Sequence, residues 1–131
     1  MMYILDTNTL IYFFKGMGNV SKRLIAIPPK DIGIPTIVLF ELEVGIAKST
    51  SPKKRQAQLK NFTSIVNILS FGYEEAKCAT SIRIDLEEKG IPIGPYDILI
   101  AGIALSNKGI LVTHNTKEFE RIEGLKIEDW Y

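Results

Sequence analysis

The stretch Tyr3-Ile4-Leu5-Asp6-Thr7-Asn8-Thr9-Leu10-Ile11-Tyr12-Phe13-Phe14-Lys15-Gly16 decides the reading of the fold. Its first three residues form a short apolar run of the kind that makes a buried strand, and the helical pattern from Thr7 to Lys15 stops at Gly16, a C-cap residue. The spacing predicts a strand running directly into a helix, with Asp6 at the junction. The same alternation continues along the chain. Helix is predicted from Val20 to Ile27, halted by Pro28-Pro29, then a strand from Asp31 to Ile34. An apolar helix over Thr36 to Lys48 follows, with Thr36 as N-cap behind Pro35. Past a polar break at Ser49 to Pro52, an amphipathic helix is predicted over Lys53 to Val66 and a strand over Ile68 to Phe71. A long helix from Tyr73 to Lys89 carries Glu74 and Glu75 in its first turn and Gly90 after its last. Pro92 and Pro95 then punctuate a tight loop before an almost wholly apolar helix, Tyr96 to Asn107, a buried strand, Ile110 to Thr113, and a last strand, Leu125 to Ile127. Strands separated by helices imply an α/β fold with a mainly parallel sheet covered on both faces, whose ligand sites lie at the carboxyl ends of the strands. Asp6 and Asn115 both follow such strands.

Composition narrows the class. A chain of 131 residues suits one domain, spanning 1–131. With 46% hydrophobic and 24% charged residues, it stands apart from disordered and fibrous proteins. The 16 basic and 15 acidic residues give no general attraction for polyanions, so any nucleic-acid contact has to come from a local patch. Cys78 is the only cysteine, which excludes an internal disulfide framework and a thiolate zinc site; core packing and a reducing cytoplasm are expected. Met1 to Leu5 lacks the pattern of a secretory signal, and no apolar run reaches the roughly 18 residues of a membrane span. A cytoplasmic protein without membrane contact is the expectation.

Three acids then stand out. Asp6 can act as N-cap of the first helix, and Asp97 sits in a first helical turn where the dipole favours negative charge. Glu41 lies within Ile37-Val38-Leu39-Phe40-Glu41-Leu42, where a carboxylate loses hydration unless something compensates it. An exposed helix edge is one answer, and a metal ion is the other. Three carboxylates suit a hard cation, Mg²⁺ or Mn²⁺, and such a site hydrolyses phosphodiesters. His114 is the only histidine, so an acid–base mechanism built on two histidines is excluded.

Four segments in order carry a resemblance: Leu5-Asp6-Thr7-Asn8, Glu41-Leu42-Glu43-Val44-Gly45, Pro92-Ile93-Gly94-Pro95-Tyr96-Asp97 and Leu111-Val112-Thr113-His114-Asn115-Thr116-Lys117-Glu118-Phe119. Together they resemble the PIN-domain ribonucleases and, within them, the VapC toxins of type II toxin–antitoxin modules, over essentially the whole chain. The resemblance implies a PIN-like three-layer α/β/α sandwich and an Mg²⁺-dependent endoribonuclease, with Mn²⁺ as a substitute. It implies a structured RNA substrate, commonly transfer RNA, a VapB-type antitoxin that neutralises the toxin, and a homodimer. Asp6, Glu41 and Asp97 fall on the family's acidic cluster, with Thr7, Asn8 and Thr113 as supporting polar groups that orient carboxylates. The sequence departs from the commonest pattern at Asn115, which replaces the fourth acid. Glu118, three residues on, is placed to restore the missing charge.

A basic stretch, Lys48, Lys53, Lys54, Arg55 and Lys60, offers an RNA contact or simply a solvated helix face. Lys15, Lys22 and Arg23 form a second patch. Two rival classes remain: a PIN-like module that binds RNA or a partner without cleaving, and an acid-rich phosphotransfer domain. The second fits poorly, because Asn8 stands where a phosphatase of that type needs an acid and Met1 to Ile4 lacks the paired acid of a receiver.

Overall fold

The computed structural model describes all residues, Met1 to Tyr131. Five strands, β1 (Tyr3–Leu5), β2 (Ile32–Pro35), β3 (Asn67–Leu69), β4 (Ile110–Val112) and β5 (Lys126–Glu128), alternate with seven helices. The helices are α1 (Thr7–Lys15), α2 (Val20–Ile25), α3 (Thr36–Ala47), α4 (Pro52–Thr63), α5 (Tyr73–Glu88), α6 (Pro95–Ser106) and α7 (Thr116–Phe119), and a 3₁₀ turn at Pro29–Asp31 leads into β2. The sheet order is β3-β2-β1-β4-β5. All four pairings are parallel, so the sheet is wholly rather than mainly parallel.

That order decides where a site can form. From β1 the chain steps outward through β2 to β3, then crosses back to β4 and outward again to β5. Right-handed crossovers place α1 to α4 on one face and α5 to α7 on the other, giving three layers. The loops leaving β1 and β4 therefore diverge, and a crevice opens at the carboxyl ends of these two neighbouring strands. β1 and β4 are held in register by Tyr3 opposite Ile110, Ile4 opposite Leu111 and Leu5 opposite Val112.

The core lies on both faces of this central pair. Ile4, Leu5, Leu111 and Val112 are fully buried in one cluster with Leu10 of α1, Val38 of α3, Leu86 of α5, Ala101 of α6 and Phe119 of α7. Burying such side chains is worth about 1.5–3 kcal/mol each. α5 and α6 approach closely because Gly102 has no side chain: a Cβ there would lie 2.9 Å from Ala79 Cβ and 3.0 Å from the Glu75 carbonyl oxygen.

Several element ends differ from expectation for local reasons. Pro35, not Thr36, is the N-cap of α3, and it offers no side-chain cap. α2 stops at Ile25 because the next two amides bond three residues back, Ala26 to Arg23 and Ile27 to Leu24. α4 and α6 each start one residue early, on prolines suited to a first helical position. β3 begins at Asn67 and ends at Leu69 instead of Phe71: the Asn67 amide donates to the carbonyls of Lys30 and Ile32, pinning this strand to the start of β2. The last strand is likewise shifted by one residue, and β2 runs on to Pro35.

Candidate active site

Asp6 leaves the end of β1 and caps α1, as its sequence position implies, with its Oδ1 accepting from the Thr9 backbone N–H at 3.0 Å. Capping uses one oxygen only. The other, Oδ2, accepts from the Thr113 hydroxyl at 2.6 Å, across the gap between β1 and β4. Thr113 in turn accepts from the Asn115 backbone N–H at 3.0 Å. Thr9 secures the same junction by donating its hydroxyl to the Val112 carbonyl at 3.1 Å. Asp6, Thr9 and Thr113 are all buried.

The other acids arrive from three directions. Glu41 projects from α3, half-buried, and its Oε1 accepts from the Thr7 hydroxyl at 2.7 Å. Asp97 stands in the first turn of α6, and Glu118 in the short helix α7. The Asn115 amide donates to Glu118 Oε2 at 2.9 Å. Asn115 thus ties down the Glu118 carboxylate, which places a negative charge next to the Asn115 amide.

Electrostatics show that these groups share one environment. Asp97 is pushed up to about 6, first by burial, then by the charges of Glu118, Asp6 and Glu41, and by a hydrogen bond with Glu118 that favours its protonated form. Burial also raises Asp6, with the Glu41 charge adding to it, while the bonds from Thr113 and Thr9 pull the other way. No lysine, arginine or histidine pairs with any of the four; every ion pair of the molecule lies elsewhere. A cluster of like charges without a cationic partner is costly unless protons or a cation relieve it. The donors are all oxygen, which fits a hard divalent cation. No three acidic side chains are grouped closely enough to hold a metal ion between them; Mg²⁺ keeps several waters and takes one or two carboxylates.

Of the residues singled out from sequence, Asp6, Thr7, Glu41, Asp97, Thr113, Asn115 and Glu118 come together. Asn8 does not: it is exposed and makes no side-chain hydrogen bond to the cluster. His114 points away, bonded to Asp129 at 2.9 Å and stacked on Tyr131. The basic stretch divides, with Lys48 and Arg55 lining a cavity that reaches Glu41 while Lys53 and Lys54 face solvent at the start of α4. Arg23, from the second patch, is spent on Glu128 and the Trp130 ring. Thr9 is the residue that sequence reading missed. Its signal was its position three residues after an N-cap acid, where a backbone N–H meets the cap.

Fold and site together define an α/β domain with carboxylates unpaired by any cation at the switch point of a parallel sheet. The PIN domain family model matches residues 3–125. Among curated relatives, the tRNA(fMet)-specific endonuclease VapC of Salmonella typhimurium is 38% identical over 128 residues, covering 98% of this chain and 97% of its own. Ribonuclease VapC2 of Rickettsia felis is 38% identical over 135 residues, covering 99% and 98%. The crystal structure of VapBC2 from Rickettsia felis, bound to a promoter DNA fragment, superimposes with a TM-score of 0.92 at 36% identity over 100% of both chains. The chain belongs to the PIN-domain family, within its VapC ribonucleases.

Proposed function

We propose that this chain is an Mg²⁺-dependent endoribonuclease toxin, hydrolysing phosphodiester bonds of structured RNA, with transfer RNA as the first substrate class to test. The observation that carries the reading is the hydrogen-bonded chain Thr7–Glu41, Asp6–Thr113–Asn115–Glu118 at the ends of β1 and β4, with Asp97 in the first turn of α6, and no cationic partner for any of the four acids. Asp6, Glu41 and Asp97 are the residues assigned to metal and catalysis, with Mn²⁺ as a substitute ion. A cation held there supplies Lewis-acid activation for attack on a phosphodiester and for departure of the leaving oxygen. The chain's own groups set the stage. Thr113 and Thr9 fix the Asp6 carboxylate, Thr7 fixes Glu41, and Asn115 fixes Glu118, so these three carboxylates are oriented before substrate arrives. Asp97 would hold the cation beside Asp6 and Glu41 in its ionised form, since a carboxylate ligates only when deprotonated. Glu118 supports this catalytic reading over a non-catalytic binder, because it restores the fourth negative charge.

Partners follow the relatives. A matching solved structure from Klebsiella pneumoniae is a toxin-antitoxin complex, and a VapB-type antitoxin is proposed for this chain, with a basic side chain neutralising the carboxylates. A homodimer is proposed through the outer face of α3 and α6. Phe40 and Tyr96 are 51% and 46% exposed and meet edge to face at 5.7 Å, with Val44 exposed beside them on α3. No helix is long and apolar enough to cross a membrane, and a cytoplasmic site of action is proposed, where RNA is met.

The test is incubation of the purified protein with total cellular RNA, with and without chelator, followed by end-group analysis. Chelator-sensitive cleavage leaving 5′-phosphate and 3′-hydroxyl ends is expected. Cyclic phosphate ends would contradict the mechanism.

A further inference from the structure

A cavity of about 450 Å³ lies between α1, α3, the loop after α3 and α4, and Glu41 forms part of its wall. This volume is within the range of small-ligand sites. Ile11, Phe14, Leu42 and Leu59 give it an apolar floor. Lys15 from the end of α1, Lys48 from the cap of α3 and Arg55 from α4 stand around it. None of the three lies within salt-bridge distance of a carboxylate; the Arg55 guanidinium donates to Gln58 Oε1 at 3.1 Å. Three cations from three separate elements line one opening, none of them paired with a carboxylate.

Gly45 is an independent pointer. It sits inside α3 and lines the same cavity. A glycine there costs the helix about 1 kcal/mol relative to alanine. Packing does not explain it, since a Cβ built at Gly45 meets nothing within 4 Å. The absent side chain leaves open space above an apolar floor, beside cations, at the edge of the carboxylate cluster.

Resting on the nuclease reading above, we infer that this cavity receives one nucleotide of the RNA next to the bond that is cut. Its base lies on the Phe14 and Leu59 floor, its sugar passes over Gly45, and its phosphate meets Lys15, Lys48 and Arg55. An apolar face with an anionic edge is the chemistry of a nucleotide, and both halves are met here. The cavity thereby fixes which phosphodiester is presented to Glu41 and its neighbours.

The test uses the full-length chain, free of antitoxin. The four ribonucleoside 5′-monophosphates are titrated by NMR into wild type and into a Lys48→Gln/Arg55→Gln double variant, and cleavage of unfractionated transfer RNA is measured for both. Expected are shifts of cavity amides with at least one mononucleotide, lost in the double variant. KM for transfer RNA should rise at least tenfold while kcat stays within threefold. Gly45→Leu, which fills the space, should repeat the KM effect; should it fail to fold, the charge variants decide alone. Unchanged KM in the double variant overturns the inference. So does a variant that cleaves normally but escapes inhibition by its antitoxin, which would make the cavity a protein groove. Asp97→Asn serves as the control: if it still cleaves, the nuclease reading itself falls; if it is inactive while the cavity variants behave as wild type, only the nucleotide site falls.

Discussion

Asp97 carries the sharpest conflict between stability and activity. Its carboxyl titrates at about 6 against an ordinary 3.8, so the folded chain binds this proton more tightly than the unfolded chain does. The resulting stabilisation is fully present below about pH 4 and is lost as pH rises through 6. Asp97→Asn removes the charge and keeps the shape. It should therefore stabilise the metal-free protein at pH 7, by on the order of 1–2 kcal/mol once the half-burial of the site is discounted. The gain should vanish below pH 4, and denaturant melts at the two pH values check it. RNA cleavage by the same variant should fall about 100-fold or more. Thr113→Val probes the group behind Asp6. It strips Asp6 of its 2.6 Å bond and leaves the Asn115 N–H without an acceptor. A stability loss of about 1–3 kcal/mol is expected, with cleavage down about 10- to 100-fold. Stability measured by urea titration beside cleavage rates separates the two effects.

Helices and strands deliver these side chains, and their packing can be tested apart from the chemistry. Gly102 lets α6 lie against α5, and Asp97 rides on the first turn of α6. Gly102→Val places side-chain atoms against Ala79 and the α5 backbone, which cannot yield like a flexible side chain. A loss of about 1–3 kcal/mol in urea unfolding is expected. Most elements were legible from the sequence, because apolar periodicity, Gly16 and the prolines mark them locally. Their ends shifted where a contact distant in sequence intervened, as when Asn67 ties β3 to the carbonyls of Lys30 and Ile32. Asp6, Glu41 and Asp97 were readable as candidates since each is an acid in an unusual place. Strand order, the coupling of Glu118 to Asp97 and the meeting of Lys15 with Lys48 and Arg55 were not, for they depend on which elements become neighbours. Asn8 shows the converse: it belongs to a recognisable motif yet faces solvent.

Taken whole, the molecule is a parallel sheet whose reversal of direction beside β1 creates one crevice, and the acids are gathered there from the ends of β1 and β4 and from α3, α6 and α7. Their net repulsion is held in place by the core on both sides of the central strands. A divalent cation that relieves this repulsion would be shared by side chains far apart in sequence. Substoichiometric Mn²⁺ added to ¹⁵N-labelled protein tests it most directly, since a paramagnetic ion broadens the amides around it. Asp6, Glu41, Asp97 and Glu118 are expected to broaden together in wild type, and Asp6→Asn to abolish the effect. Broadening confined to another surface, or spread evenly over the exposed acids, would contradict it.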